Sequence, residues 1–327
     1  MRRRSAILLA FAGLCRLLAP GATAAQEEGA GSGHYLFAYF KANGEDGLHL
    51  AYSRDGLHWK ALRDDRPFLA PAVGKERLMR DPSILRGPDG TFHMVWTAGW
   101  RERGIGYASS KDLIHWSEQR YLPVMEHEPA ARNCWAPELF YDEETGEYLI
   151  FWSTTIPGRF PETDGQDARE SDPVGWNHRI YYVRTKDFQT FSETRLFYDH
   201  GFNVIDAAIF KAGNRYVMLL KDETNRPFTP QKNIRLAFAD RAQGPYGPPS
   251  APISGPDWAE GPTVLRIGGK WHVYFDKYTK GRYGLVVSED LDRWTDASER
   301  LQVPAGMRHG TAFEVPADVA RRLLELE

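Results

Sequence analysis

Four short turns punctuate this chain and leave it few ways to fold. Ser53-Arg54-Asp55-Gly56-Leu57-His58-Trp59 recurs as Ser110-Lys111-Asp112-Leu113-Ile114-His115-Trp116, as Thr185-Lys186-Asp187-Phe188-Gln189-Thr190-Phe191, and as Ser288-Glu289-Asp290-Leu291-Asp292-Arg293-Trp294. Each copy follows a run of strand-forming residues, at 48–52, 104–108, 180–183 and 283–287. A degenerate copy with Asp240 and Tyr246 follows 234–238. Hydroxyl and carboxylate side chains hydrogen-bond the backbone of a turn, and the closing aromatic restarts a strand. The boxes are therefore read as hairpin turns of a repeated antiparallel unit.

A second hairpin precedes each box. Its turns are Gly87-Pro88-Asp89-Gly90, Asp142-Glu143-Glu144-Thr145-Gly146, Ala212-Gly213-Asn214 and Gly268-Gly269, all with strong turn chemistry. Four strands per unit of about 50 to 75 residues is the pattern of propeller blades. The first unit, starting at 34–40, lacks one strand, whereas the C-terminus has a surplus strand at 310–315. The expected fold is all-β: a five-bladed β-propeller of four-stranded antiparallel blades, its ring closed by the C-terminal strand pairing into the first blade. Closure of that kind removes an open sheet edge. One catalytic domain, 34–327, ends in a short helix within 317–327.

Residues 1–25 read as a signal peptide: Arg2-Arg3-Arg4, an apolar run over 6–19, and the small-residue site Ala22-Thr23-Ala24. The arginines leave twin-arginine and general export both open, and the expected location is secreted or periplasmic. Residues 26–33 form a flexible lead-in. Removing 1–24 discards four arginines and no acid, taking the formal charge from −3 to about −7. No basic run points to nucleic acid, and nothing past the signal points to a membrane. Cys15 falls in the signal, so Cys134 has no intrachain partner. Aromatic residues make up 13% of the chain, which suits both strands and sugar stacking.

Inner strands of a propeller run beside its axis, so the residues at their starts face one mouth. Those positions carry Asp81, Glu138, Asp206, Glu260 and His309. Crowded, partly desolvated carboxylates should raise at least one pKa. A protonated acid beside an ionised carboxylate is what glycoside hydrolysis needs. Any one of these residues could merely form a turn before a strand, Glu138 above all, but the coincidence at four strands argues for chemistry. The loops 97–103, 154–178, 222–233 and 276–281 should rim the same mouth, the longest holding Arg159, Asp164 and Trp176. Trp100, Trp135, Trp176 and Trp258 are candidate stacking platforms, and Arg80 and Arg308 are candidate donors to sugar hydroxyls.

Arg80-Asp81-Pro82-Ser83, Asn203-Val204-Ile205-Asp206 and Glu260-Gly261-Pro262, in this order and spacing, resemble the motifs of glycoside hydrolase family 43 over 34–315. The resemblance implies that Asp81 is the general base, Glu260 the general acid, and Asp206 the residue that orients the acid and modulates its pKa. Trp135-Ala136-Pro137-Glu138 has Glu where the family usually has Asp, so Glu138 inherits no catalytic role and stands as a candidate substrate contact. His309-Gly310 resembles a fifth-blade histidine that lies near a channel metal in some members, which would be a calcium or sodium ion; no cofactor is required. One departure is a whole hairpin pair preceding the Asp-Pro element. The implied activity is inverting, exo-acting release of a terminal pentose, foremost α-L-arabinofuranose, from plant-type polysaccharide or oligosaccharide. A β-D-xylosidase or galactan-active hydrolase is the alternative within the family. From another class, the alternative is a non-catalytic carbohydrate-binding propeller. A sialidase fits poorly, for want of an arginine triad and a tyrosine nucleophile pair.

Overall fold

A computed structural model describes residues 33–326. The expected signal peptide, and all of the lead-in except Gly33, lie outside the described residues. From Tyr35 onward the chain alternates apolar strands with polar turns. Blade one holds β1 (Tyr35–Tyr39), β2 (His49–Ser53) and β3 (Lys60–Ala61); blade two holds β4 (Arg80–Arg86), β5 (Phe92–Thr97), β6 (Ile105–Ser110) and β7 (Arg120–Leu122). Blade three holds β8 (Trp135–Asp142), β9 (Glu147–Thr155), β10 (His178–Thr185) and β11 (Arg195–Tyr198). Blade four holds β12 (Val204–Ala212), β13 (Arg215–Asp222) and β14 (Asn233–Ala239); blade five holds β15 (Glu260–Ile267), β16 (Lys270–Lys277), β17 (Arg282–Ser288) and β18 (Thr295–Asp296). Every pairing within these sheets is antiparallel.

The ring closes as the repeat arithmetic requires. β19 (Gly310–Glu314) is the inner strand of blade one and pairs with β1 in the register Tyr35 to Glu314 through Tyr39 to Gly310. The inner strands neighbour one another in the cycle β4, β8, β12, β15, β19 and back to β4. Apolar clusters fill the wedges between blades; one of them buries Ile84, Phe92 and Trp96 with Val319, Ala320 and Leu323 of α1 (Ala317–Leu324). That amphipathic helix packs into the wedge between blades one and two.

The repeated boxes fold as their side chains dictate. Ser53 Oγ accepts from Gly56 N–H at 2.9 Å, and Asp55 Oδ1 accepts from Leu57 and His58 N–H at 2.8 and 2.9 Å. The boxes at 110, 185 and 288 repeat this pattern. Blade four differs. Its outer edge is an irregular segment that reaches β14 through Gly247 N–H to Phe238, Ser250 N–H to Leu236, and Ile253 N–H to Ile234. Pro245, Pro248, Pro249 and Pro252 remove four backbone donors from this stretch, so a continuous ladder cannot form there.

Four inner strands share one distortion near their starts. The pairing register slips between Arg80 and Ser83, Trp135 and Glu138, Ile205 and Ala208, and Glu260 and Thr263. At each slip one residue is left-handed: Asp81 (φ 50°), Ala136 (46°), Asp206 (52°) and Gly261 (59°). These are β-bulges, which re-aim side chains beside functional sites. They also set the four acids at different depths, although the sequence places all of them at the starts of inner strands. Asp81 and Asp206 occupy the bulge itself. Glu260 lies one residue before it, whereas Glu138 lies two residues beyond it and therefore deeper along the channel.

Candidate active site

Asp81 anchors one side of the mouth. Thr97 Oγ1, at the end of β5, donates to its Oδ2 at 2.8 Å, and His309 Nδ1 lies 3.3 Å from its Oδ1. Burial opposes ionisation of Asp81, but the His309 hydrogen bond and charge, with Arg80 and Thr97, outweigh it and hold the carboxyl down to about 2. Burial likewise opposes the His309 cation, yet the charges of Asp206, Asp81 and Glu260 carry its pKa up to about 9. His309 is paired with Asp81, and among the described residues no group of three or more His, Cys, Asp or Glu is placed to hold a metal ion.

Glu260 sits between two cations. Lys221 Nζ donates to its Oε2 at 3.1 Å, and Arg308 Nη2 donates to its Oε1 at 3.0 Å. Each cation has a further anion. Lys221 Nζ is 2.7 Å from Glu223 Oε2, and Arg308 Nε donates to Asp276 Oδ2 at 2.8 Å. Lys232 Nζ pairs with the other oxygen of Glu223. The result is an alternating series: Lys232, Glu223, Lys221, Glu260, Arg308, Asp276. Burial and repulsion from Glu260 push Asp276 up to about 6 despite Arg308.

Asp206 joins the two sides. Its Oδ2 accepts Gly261 N–H at 3.0 Å, and its own N–H donates to Ser153 Oγ at 3.3 Å. It thus grips the residue that follows Glu260. Burial raises Asp206 to about 6, against the pull of His309 and Lys221. Gly261 is required at this junction: a Cβ there would lie 2.3 Å from His309 Cγ, and its φ is left-handed. Glu138, deeper in, accepts from Ser83 Oγ at 2.6 Å and Thr311 Oγ1 at 3.1 Å, and burial pushes it up to about 7. The crowding expected of these carboxylates is present at Asp206 and Asp276, whereas Glu138 is raised by burial.

The aromatic residues form two groups. Trp100, 41% exposed, is crossed by the Arg80 guanidinium 4.3 Å from its ring centre, and its Nε1 donates to Asn43 Oδ1 at 3.0 Å. Trp135 packs edge-on against Trp100 and at 4.5 Å from Trp176, so one of its faces is already covered. Arg132 and Arg101 both reach Asp172 of the long blade-three loop, and both lie over Trp176. Trp258, 40% exposed, stands apart near Tyr278. Arg80 donates to Asn43 and Arg308 to the two acids.

The sequence does not single out Thr97, Ser153, Lys221 and Asp276, although Thr97 and Asp276 open loops expected to rim the mouth. All four lie at or within two residues of the end of a blade's second strand, where they pair opposite, or next to, the inner-strand start: Thr97 with Arg80, Ser153 with Trp135, Lys221 with Ile205, Asp276 with Glu260. Their signal was a polar residue near the end of an otherwise apolar strand.

A five-bladed propeller that gathers buried acids at the bulged starts of its inner strands defines the class of propeller glycosidases. The family model described as a probable glycosyl hydrolase domain, related to glycoside hydrolase family 43, matches residues 32–319. The chain belongs to that family. A curated relative, an α-L-arabinofuranosidase of Bifidobacterium longum subsp. longum, is 24% identical over 163 residues, which are 44% of this chain and 15% of that protein. The chain thus spans a small part of that relative's length. Similar solved structures include α-L-arabinofuranosidase from Lactobacillus brevis, with a TM-score of 0.53 and 18% identity over 67% of this chain and 72% of that one. Endo-arabinase from Bacteroides thetaiotaomicron superposes with a TM-score of 0.51 and 16% identity over 70% and 84%. Exo-β-1,3-galactanase from Phanerochaete chrysosporium gives 0.51 and 12% over 70% and 52%. These likenesses establish the fold.

Proposed function

We propose that the protein is an inverting, exo-acting glycoside hydrolase that releases terminal α-L-arabinofuranose from plant-type oligosaccharide or polysaccharide. The observation that carries the reading is the convergence of Asp81, Asp206 and Glu260, from three separate inner strands, on one mouth. The α-L-arabinofuranosidase relative supports the choice of sugar.

Asp81, held ionised by His309, takes a proton from water as the water oxygen bonds to the anomeric carbon. Glu260 gives its proton to the departing glycosidic oxygen as the old bond breaks, so one water is consumed and each product is neutral. Negative charge develops on Glu260 as its proton leaves. Lys221 and Arg308 already stand at its two oxygens, a preorganised arrangement that stabilises that charge without reorganisation. Asp206 fixes Glu260 from behind, through Gly261 N–H. The basic head and apolar run of residues 1–25 support an exported enzyme.

The test is hydrolysis of 4-nitrophenyl α-L-arabinofuranoside, β-D-xyloside and β-D-galactoside, with the first-formed anomer read by proton NMR. Inverted arabinose is the expected product. Binding of oligosaccharides without hydrolysis of any substrate would replace the enzyme reading with a carbohydrate-binding one, and a retained anomer would remove Asp81 as base.

A further inference from the structure

Trp258 is a large apolar side chain left 40% exposed on a backbone held firmly on both sides. Ala259 N–H donates to Lys232 O at 2.9 Å, and Asp257 Oδ2 lies 3.3 Å from Lys277 Nζ. An indole that merely filled space would be buried, and one on a loose loop would have no fixed position. The ring faces Tyr278 with 6.3 Å between centroids. Tyr278 in turn carries Lys221 Nζ 4.8 Å from its ring centre, and Lys221 donates to Glu260 at 3.1 Å. Trp258 therefore stands on the acid's side of the mouth, two residues before Glu260 itself. Trp100 stands on the base's side, against Arg80 beside Asp81.

In an inverting displacement, the water activated by the base attacks one face of the anomeric carbon, and the leaving group, protonated by the acid, departs from the other face towards that acid. From this placement we propose that Trp258 is the stacking platform of the leaving-group subsite and determines specificity for a carbohydrate leaving group. The occupant is a neutral sugar ring. The cations nearest this platform are already matched: Lys221 and Lys232 share Glu223, and Lys277 pairs with Asp257. With those charges matched, the 40% exposed indole, which Lys232 Nζ approaches to 5.9 Å from the ring centre, suits the C–H face of a pyranose or furanose. The inference rests on the glycosidase reading above and adds which side of the mouth holds the leaving group.

The experiment compares two substrates that share the released sugar: its glycosyl fluoride, whose leaving group is too small to reach Trp258, and the corresponding disaccharide. Loss of one aromatic stacking contact corresponds to roughly a tenfold change in rate. In Trp258→Ala the ratio of kcat/KM for disaccharide over fluoride should fall by about that factor, and in Trp258→Phe by clearly less. The ratio is internal to each variant, so partial misfolding cancels. An unchanged ratio in Trp258→Ala would overturn the subsite, as would an equal fall in the Phe variant. A wild-type protein inactive on both substrates would instead overturn the glycosidase reading itself.

Discussion

The Asp81–His309 pair can be taken apart by one substitution, His309→Asn. Asn Nδ2 replaces His Nδ1 in nearly the same place, so a hydrogen bond to Asp81 Oδ1 survives while the charge is lost. Asp81 is depressed from 3.8 to about 2 in the folded protein, against the cost of its burial. Removing a cation at this distance returns about 1–3 units to a carboxylate. If Asp81 is the base, the acid limb of kcat/KM should rise from near 2 into the range of about 3 to 5, measured by 4-nitrophenol release from about pH 2 upward.

Stability provides a second readout that does not depend on catalysis. Asp81 has a lowered pKa, so its contribution is present above about 3.8 and lost as pH falls through about 2. His309 has a raised pKa, so its contribution is complete below 6.5 and lost as pH rises through about 9. Both are at full strength between about pH 4 and 6.5. Above that, the folded state holds one extra proton and unfolding free energy should fall by up to about 1.4 kcal/mol per pH unit, roughly 3 kcal/mol in all. Urea unfolding of wild type at pH 6 and 9 should show that decline, and in His309→Asn the fall should be smaller by about the same 3 kcal/mol. An identical decline in both proteins, with full activity of the variant retained at pH 3, would refute the pairing.

Three further outcomes are expected. Glu260→Gln should lower turnover about 10²–10⁴-fold, the usual span for a lost general acid, with an unchanged circular dichroism spectrum; near-normal turnover would remove Glu260 as the acid. Gly261→Ala should lower both thermal midpoint and kcat/KM, because the added methyl meets the His309 ring at 2.3 Å and the left-handed φ adds about 1–2 kcal/mol; a wild-type midpoint would contradict the junction described. Glu138 is raised from 4.5 to about 7 by burial, so wild type should lose stability as pH rises through that interval. Glu138→Gln stays neutral and should be spared up to about 3 kcal/mol of that loss at pH 8; parallel pH profiles of unfolding would count against it.

Repetition made the fold legible. The four turn boxes and their preceding hairpins fix strand count and direction, and the shortage at one end with the surplus at the other leaves closure of the ring by Gly310–Glu314 as the economical solution. Asp81 and Glu260 were legible because each stands beside a proline or glycine that breaks a strand's regular course, and Asp206 because it interrupts an apolar run. What escaped was the supporting layer. Thr97, Ser153, Lys221 and Asp276 act only because antiparallel pairing returns the second strand to the mouth, and a reading along the chain weights them as strand ends rather than as neighbours of Asp81, Asp206 or Glu260. Pairing cations with acids across blades, as in Lys221 with Glu260 and Arg308 with Asp276, is likewise invisible until the ring is closed.

Glu138 shows how a small backbone irregularity sorts similar residues into different work. Counted from strand starts, it is the blade-three partner of Asp81. Counted from the bulge, its counterparts are Ser83, Ala208 and Thr263, and the residue that corresponds to Asp81 is Ala136. The second count agrees with the contacts. Ser83 donates to Glu138, Thr311 donates to Glu138, and Thr263 Oγ1 accepts Ala312 N–H at 3.0 Å, so this tier ties inner strands to their neighbours around the channel. The tier above presents Asp81, Asp206 and Glu260 to the mouth. Two layers of polar side chains thus come from one repeated bulge, the outer carrying the groups proposed for proton transfer and the inner tying the inner strands together. A carboxylate moved by two residues passes from the first role to the second, which is why an acid at a strand start identifies a reactive group only after the bulge has been located.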